Sequence, residues 1–403
     1  MMAWWHRIVP TPPVLGKKLI RAAPWLIAFT LLGLFLEHAG MLTPLSNFGR
    51  DTFGIARGVR PPVDVRIVDI DDASYDALFH GRSPLDAAAL RRLIDAIEAA
   101  RPSVIGVDVL TSGPAFAALS DVPSWSTPIV WAEDVAPADP ACSATDGSCA
   151  FHSGLALGGR MHDEPDACVT ARVCGAIPLY LRRGGVTREY AQRLPYPGLD
   201  RRPSLAWAVV VACANAPHPP AACKTAYDRA RDDDEAHQID VTAPNPWPYT
   251  QNALHVLSFA KSRSWAVDSE LRDHIVIVGG SYRLQDRHHV AGQEVSGAWL
   301  NAQVVENELH GPTGEVPWFV GPIADLAIGV VLVYLLYRFR LATALATSAG
   351  FIGFILLATF LAFGRLGVWL DFVPILVGVT LHELQEHVPE YLRLAAAEEN
   401  DPA

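Results

Sequence analysis

Two aspartates separated by one residue, Asp69 and Asp71, lie at the end of an apolar, strand-like stretch. Paired carboxylates in such a place can carry metal-dependent phosphoester hydrolysis, in which one carboxylate attacks phosphorus and the other transfers protons. That chemistry also needs a lysine, and the polar middle of the chain has only Lys224 and Lys261, neither within a recognisable motif. The sequence therefore favours helix capping or sheet-edge hydrogen bonding by Asp71, Asp72 and Ser74 over hydrolysis.

A glycine-containing loop follows a second apolar stretch later in the chain, at Gly279-Gly280-Ser281. A phosphate-binding loop leads directly into a helix N-terminus, whereas the next helical pattern here begins only near Val295. We therefore interpret these three residues as a turn, and we expect Asp286 beyond it to pair with an arginine. Ser281, Asp286 and Arg287 are the side chains of this loop that a ligand would contact.

The elements that must position these residues follow a strand, helix, strand order. Val63 to Ile70 and Val104 to Leu110 are typical of strands, and Asp86 to Ala100 repeats apolar residues at helical spacing. Such a unit normally has parallel strands joined by a right-handed crossover. A strand from His274 to Val278 and a helix from Val295 to Leu309 complete a predicted α/β domain, with a mixed or parallel sheet flanked by helices.

The carboxyl ends of these strands define the predicted binding site. Open α/β sheets bind ligands beyond the carboxyl ends of their strands, and Asp108 lies near the end of the second strand as Asp69 does in the first. We therefore predict that an unknown ligand binds there, without a cofactor and without a metal ion. The predicted ligand-binding residues are Asp69, Asp71, Asp108, Ser281, Asp286 and Arg287.

The composition indicates a membrane-anchored protein. Half of the 403 residues are apolar and 19% are charged, which is too apolar for an ordinary soluble protein. Four apolar segments approach the roughly 20 residues that cross a bilayer, so we predict four transmembrane helices in the lipid bilayer. They are residues 22–40, 318–337, 341–363 and 366–382.

The positive charges set the predicted orientation of these helices. Basic residues precede the first helix and separate the second from the third, and the positive-inside rule places both stretches in the cytoplasm. Residues 41–317 are then exported, whereas the termini, 1–21 and 383–403, stay inside. The basic residues concerned are Arg7, Lys17, Lys18, Arg21, Arg338 and Arg340.

Two carboxylates, Asp325 and Asp371, lie within the predicted membrane helices. A carboxylate inside a bilayer is costly unless it is shielded from lipid. We expect these two either at the membrane interface, beside Trp318 and Trp369, or in polar contacts between helices or with a helix of a partner.

The cysteines support export, because all six fall between residues 41 and 317. An even number of cysteines in an oxidising compartment indicates disulfides, although the sequence alone leaves their connectivity open. Residues 134–175, which are rich in Cys, Gly, Asp and Pro, are predicted to form an irregular insertion tied by disulfides. The spacing favours the local pairs Cys142 with Cys149, Cys168 with Cys174, and Cys213 with Cys223.

The formal net charge of -11 argues against one class of partner. The acidic residues form short clusters, and the exported block has no basic stripe. The chain therefore lacks the electrostatic footprint of a nucleic-acid-binding protein.

Several short motifs occur in the same order as in a known sensory domain. They are Val68 to Ser74, Gly81 to Pro84, Ile105 to Asp108, Ile177 to Leu179, Pro203 to Leu205, and Ile275 to Gly279 with Asp286-Arg287. In this order, over about residues 60 to 385, the chain resembles the CHASE sensory domain of the second type. The resemblance implies the extracytoplasmic domain of a bacterial inner-membrane protein, exposed to the periplasm, as in many cyclases and kinases.

We therefore predict an extracytoplasmic sensor that relays a signal through its membrane helices. Only 22 residues follow Leu381, too few for the core of a kinase or cyclase, so we expect no enzyme but a separate signalling or membrane protein as partner. A homo-oligomer is a further option. Two alternatives stay open: an exported metal-dependent phosphohydrolase at Asp69 and Asp71, and a membrane scaffold subunit without a ligand.

Overall fold

The computed structural model describes most of the chain in ranges separated by gaps. The described residues are 12–58, 61–111, 116, 119, 125–137, 151–154, 173–176, 181–183, 186–193, 203–229, 236–241, 243–262, 264–284, 286–290, 292–311, 314–315, 319–338, 341–369, 371–374, 376–377 and 381. The chain divides into two compact units. Residues 58–313 form one, called here the sheet domain, and residues 1–57 with 314–403 form the other, called the helical unit.

The described helices are numbered in chain order. They are α1 (Pro12–His38), α2 (Thr43–Arg57), α3 (Asp72–Phe79), α4 (Ala87–Glu98), α5 (Leu205–Ala214), α6 (Ala221–Arg229), α7 (Ala253–Phe259), α8 (Trp265–Asp268), α9 (Gly297–His310), α10 (Val320–Arg338) and α11 (Leu341–Leu366). A 3-10 turn spans Tyr282–Leu284.

The described strands are also numbered in chain order. They are β1 (Val65–Ile70), β2 (Val104–Asp108), β3 (Ile129–Pro137), β4 (Phe151–Gly154), β5 (Val173–Ala176), β6 (Leu181–Arg183), β7 (Val186–Ala191), β8 (Ala236–Gln238), β9 (Thr250–Asn252), β10 (Ile275–Gly280), β11 (Arg287–Val290), β12 (Gln293–Ser296), β13 (Gly314–Glu315) and β14 (Val368–Trp369).

The sheet domain is built on a central sheet with the strand order β4-β3-β2-β10-β1-β9, in which β5 also pairs with β3. All of these pairs are parallel except that of β3 with β4. The predicted strand, helix, strand unit forms, but β10 lies between β1 and β2. A second sheet of five strands has the path β12-β11-β7-β6, with β8 paired to β7.

Helices cover both faces of the central sheet, because its strands are apolar on both sides, as buried parallel strands are. On one face α3, α4 and α7 pack against side chains such as Val68, Ile105 and Val276. On the other face α5, α6 and α9 pack against Val65 and Ile277 and their neighbours. The predicted α/β class, a parallel sheet flanked by helices, is confirmed.

Local signals predicted several elements to within two residues. Helix α4 buries Leu90, Leu93, Ile94 and Ile97 at helical spacing, and its N-cap Asp86 accepts a hydrogen bond from the Ala89 backbone nitrogen at 2.7 Å. Strand β1 begins at 65 rather than 63, and β2 ends at 108 rather than 110.

The interpretation of residues 279–281 as a turn is wrong for the two glycines. Gly279 and Gly280 continue β10, in register with Asp69 and Ile70 of β1. Glycine is needed at Gly279 because a β-carbon there would lie 2.6 Å from the β-carbon of Ala298 in α9. Close helix packing, rather than chain reversal, accounts for this glycine.

One of the three predicted disulfides lies within the described residues. Cys213 of α5 and Cys223 of α6 are bonded, and both are fully buried, so that prediction is confirmed. Cys142, Cys149 and Cys168 lie outside the described residues, and for Cys174 only the backbone, in β5, is described. The other two pairs stay predictions. Within the predicted insertion, the described parts are the strand segments of β3, β4 and β5.

The helical unit contains α1, α2, α10 and α11, with a two-stranded pairing of β13 and β14. Aromatic side chains pack together within it: the ring of Phe53 stacks on Phe372 at 5.4 Å and contacts the edge of Trp369 at 5.9 Å. Residues 366–369, the start of the predicted fourth membrane helix, end α11 and form β14 instead, and helical residues resume at Val373.

By length and hydropathy, no single helix in the described part of the chain is a candidate for crossing a membrane. The segments Ala23–His38 and Thr43–Arg57 are long and apolar enough only when they are taken together, and the chain bends by 82° between them. The four transmembrane helices therefore stay a prediction.

Asp371 makes a polar contact between segments of the helical unit, which was one of its two expected roles. The Ser46 hydroxyl in α2 donates to Asp371 Oδ2 at 2.6 Å, and the Val373 backbone nitrogen donates to Oδ1 at 3.0 Å. Asp325 lies in α10, and its side chain is outside the described part of the structure.

Candidate functional site

Two carboxylates flank a glycine across three adjacent strands. Gly279 of β10 is in register with Asp69 of β1 on one side and with Asp108 of β2 on the other. Side chains alternate along a strand, so these three residues share the face that buries Val65, Val104 and their neighbours. At a strand spacing of about 4.8 Å, the α-carbons of the two aspartates lie about 10 Å apart.

The N-terminus of α9 packs against the middle of this row. Gly279 permits the approach, as its contact with Ala298 shows, and Ser296 caps the helix by accepting a hydrogen bond from the Trp299 backbone nitrogen at 3.3 Å. The Asp286 carboxylate occupies the space where a β-carbon on Gly297 would lie. Backbone N–H groups at a helix start favour negative charge, so α9 suits a site rich in carboxylates.

Asp108 is the most strongly perturbed carboxyl of this row. Burial, together with the charge of Asp286, raises its pKa to about 7, although a hydrogen bond with the Asn301 side chain and the charge of His288 oppose the rise. Near neutral pH this carboxyl therefore exists in both protonation states. Carboxyls tuned in this way are concentrated at functional sites.

Asp69 is also held in a perturbed state. Burial raises its pKa and the charge of Asp71 adds to the rise, whereas the Ser281 hydroxyl, which donates to Asp69 Oδ2 at 2.7 Å, and the charge of Arg287 lower it. Asp69 Oδ1 and Arg287 Nε are both buried and have no hydrogen-bond partner among the described residues. An acceptor and a donor are thus left for a ligand at this edge.

The loop after β10 brings an acid and an imidazole together. Asp286 was expected to pair with an arginine, but in the described structure it pairs with His288, two residues along the chain, with 2.9 Å between Nε2 and Oδ1. Asp286 is exposed, whereas only 11% of the His288 side chain is accessible. The guanidinium of Arg287 instead acts electrostatically on Asp69.

Asp71 serves the fold, as its interpretation as a helix cap predicted. Its Oδ1 accepts a hydrogen bond from the Ser74 backbone nitrogen at 2.8 Å at the start of α3, and its Oδ2 accepts one from the side-chain amide of Asn252. Both oxygens are therefore committed within the protein. Asp69, Asp108, Ser281, Asp286 and Arg287 are gathered at the carboxyl edge, and Asp71 lies beside them.

The opposite end of α9 carries a second polar junction, which sequence reasoning missed. Glu306 is 1% exposed, and its Oε1 accepts hydrogen bonds from the backbone nitrogens of Asp64 at 3.0 Å and Val65 at 2.9 Å. His310, one turn later, lies 3.2 Å from its Oε2. Burial and the charge of Glu306 raise the pKa of Asp64. Glu306 thus joins the start of β1 to the end of α9.

Other polar side chains of α9 also have hydrogen-bond partners inside the protein. Gln303, fully buried, accepts a hydrogen bond from the Ala243 backbone nitrogen at 2.9 Å and donates to the Asp240 carbonyl at 2.9 Å. Glu308 accepts one from Gln192 at 2.8 Å. In the sequence such residues look solvent-facing, and only the burial of every residue from Gly297 to Leu309 reveals their role.

No group of three or more His, Cys, Asp or Glu side chains in the described ranges is arranged to hold a metal ion. His288 and His289 lie in β11, where neighbouring side chains point to opposite faces. The carboxyl edge therefore offers carboxylates, a hydroxyl, a guanidinium and an imidazole as its chemical groups.

The family of the chain is shown by a comparison with models of protein families. A family model described as the CHASE2 domain matches residues 26–337. The chain belongs to the CHASE2 domain family. CHASE2 domains are extracellular sensory domains, and the resemblance inferred from the ordered motifs is confirmed. No curated protein and no solved structure matches the chain.

The raised pKa of Asp108 predicts a pH-dependent stability. The folded chain holds the Asp108 proton up to about pH 7, whereas the ordinary value is 3.8, so this carboxyl's contribution to stability falls as the pH rises from about 4 to 7. In Asp108→Asn that fall is absent. The full rise of the pKa from 3.8 to about 7 would be worth about 4 kcal/mol. Because Asp108 is only partly shielded from solvent, we expect a smaller effect. Variant and wild type should melt alike at pH 4.5, and the variant should melt higher by ~2–4 °C at pH 8, which corresponds to about 1 kcal/mol for a domain of this size.

Thermal melting of the full-length protein at several pH values measures this effect. Asp228→Asn, at an exposed position on α6, is the matched control and is expected to follow the wild type throughout. A difference between Asp108→Asn and wild type that does not change with pH would contradict the assignment.

Proposed function

We propose that this CHASE2 protein is a membrane-anchored sensor whose sheet domain binds a ligand or protein outside the cytoplasm and relays its occupancy through the predicted membrane helices to a separate partner. The observation that carries the proposal is the position of α9. Its N-terminus contacts the carboxyl edge at Gly279, and its C-terminal turn holds the first residues of β1 through Glu306.

The proposed ligand site is the carboxyl edge. Asp69 and Arg287 each have a buried polar atom without a hydrogen-bond partner in the described structure, and such atoms cost free energy until they are satisfied. A ligand that forms hydrogen bonds with these atoms would remove that cost, which favours its binding. A ligand at this edge could also change the protonation of Asp108. Its charge would act directly on the start of α9.

The proposed relay uses α9 as a rigid element. Its buried polar side chains bond to defined partners, and such networks favour discrete arrangements over gradual sliding. Glu306 lies where the chain enters the sheet domain, before β1, and close to where it leaves, after α9. A small shift of α9 on ligand binding would therefore be felt at both connections, as a change in the populations of two states.

The proposed location is the inner membrane of a bacterium, with the sheet domain in the periplasm and the lipid bilayer around the apolar segments. The family, whose domains are extracellular, and the disulfide between Cys213 and Cys223 support an oxidising compartment. The proposed partner is a separate signalling or membrane protein, reached by the membrane helices of one chain or of a homo-oligomer.

Labelling of an introduced cysteine tests the location. Lys261 is exposed just after α7, so Lys261→Cys is expected to react with a membrane-impermeant maleimide in intact cells. The wild type, whose six cysteines are predicted to be bonded, is the control and should react only after denaturation and reduction. Labelling of Lys261→Cys only after lysis would place the domain inside and refute the proposal.

Replacement of Glu306 tests the junction at the end of α9. Glu306→Ala leaves the buried backbone N–H group of Val65 and the partly buried one of Asp64 without their acceptor, so we expect the free energy of unfolding to fall by about 2–5 kcal/mol. Glu306→Gln keeps one side-chain oxygen and should lose less than half of that.

Urea unfolding of the full-length protein measures both variants, with Glu294→Ala, an exposed position on β12, as the control that is expected to match the wild type. Equal stability of Glu306→Ala and wild type would show that Glu306 does not hold the start of β1.

A further inference from the structure

A cavity of about 650 Å³ opens at the edge of the central sheet, beside β9, α7 and α8. Its volume lies within the range of about 300–1,000 Å³ typical of ligand sites. It is separate from the carboxyl edge that Asp69 and Asp108 form, and the proposed sensor site does not use it. All three residues of β9 line it.

The cavity exposes an edge of the sheet. Strand β9 is the last strand on the path of the central sheet and pairs with β1 on one side, and no other described strand pairs with its other side. The Ile67 backbone nitrogen donates to the Tyr249 carbonyl, so backbone groups one residue later, at Thr250, point away from β1. An edge of this kind binds an extended peptide by adding it as a further strand.

The lining is rich in hydrogen-bond acceptors. Among the described lining residues the charged side chains are Asp268 and Glu270, both exposed. The side-chain oxygen of Gln251 is buried and has no hydrogen-bond partner within the described part, while its nitrogen contacts Glu270 at 3.5 Å. These acceptors fit a ligand that carries several N–H donors and a positive charge.

An aromatic wall completes the cavity. The rings of His255 and Phe259 pack at 4.2 Å, and 51% of Phe259 is exposed, so its ring is accessible from the cavity. Trp265 lies beneath, with its indole nitrogen donating to the Ala96 carbonyl at 2.8 Å. Such a wall suits the aliphatic stem of lysine or arginine, and a cation near the aromatic face adds attraction.

We infer that this cavity binds an extended basic peptide, which adds to β9 as a strand and places a lysine or arginine side chain between the carboxylates and the aromatic wall. The open strand edge favours a peptide over a free amine, since an amine would leave the backbone groups of β9 unused. Asp268 and Glu270 select for positive charge.

Occupancy of this cavity would reach the carboxyl edge through Asn252. This residue lines the cavity, and its side-chain amide donates to Asp71, next to Asp69. Its side-chain oxygen accepts hydrogen bonds from the Ser74 hydroxyl at 3.0 Å and the Leu254 backbone nitrogen at 2.8 Å. The bound peptide therefore acts on the strand that carries Asp69.

Fluorescence anisotropy with the full-length protein tests the inference. The probe is a labelled peptide of alternating lysine and valine, compared with the same peptide carrying glutamate in place of lysine, with an N-methylated lysine peptide, and with spermidine as competitor. We expect the lysine peptide to bind and the other two peptides to bind at least about tenfold more weakly, a difference of ~1.4 kcal/mol. Spermidine at an equal concentration should not displace the probe.

The test variant combines Asp268→Asn with Glu270→Gln, which remove charge but keep shape. Its matched control is Glu294→Gln, the same kind of change at an exposed site outside the cavity. The double variant should bind the lysine peptide about tenfold more weakly without a change in melting temperature, and the control should bind it as the wild type does. Equal binding of the glutamate peptide, an unchanged affinity of the double variant, or displacement by spermidine would each overturn the inference. None of these results depends on whether the carboxyl edge binds a ligand.

Discussion

The close approach of α9 to β10 at Gly279 is the constraint on which the rest of the sheet domain depends. A side chain at this position would collide with Ala298, so only glycine lets the helix start between Asp69 and Asp108. With its start fixed there, the whole of α9 becomes buried, and each of its polar side chains must find a partner inside the protein. The contacts of Asn301 with Asp108 and of Glu306 with β1 follow from that burial.

This arrangement gives the domain two chemically different ends. At the carboxyl edge, carboxylates lie close enough to perturb one another, so charge is adjustable there. At the other end of α9, Glu306 is used to satisfy backbone N–H groups, so its role is structural. Helix α9 thus links an end where the charge of the carboxyls can change to an end where Glu306 holds the backbone in place. Such a link is a physical basis for a sensor.

Much of the fold could be predicted from local patterns, because α4, β1 and β2 carry clear apolar periodicity and Asp86 is a standard helix cap. The place of β10 between β1 and β2 could not, since strand order depends on contacts between distant residues. Most of the predicted site residues converge, because carboxyl ends of parallel strands share an edge. Asn301 and Glu306 were missed because polar residues in a helical pattern usually face solvent. Strand β9 was missed because three residues are too few to show an apolar pattern.

Hydrogen exchange at the backbone amides of Asp64 and Val65 tests the central claim, that α9 couples the carboxyl edge to the start of β1. Wild type and Asp108→Asn would be compared at pH 8, with the amides of β7 as an internal reference. The account predicts slower exchange at these two amides in the variant, about fivefold for ~1 kcal/mol, and a smaller change in β7. Unchanged exchange at Asp64 and Val65, or the same change throughout the domain, would contradict it.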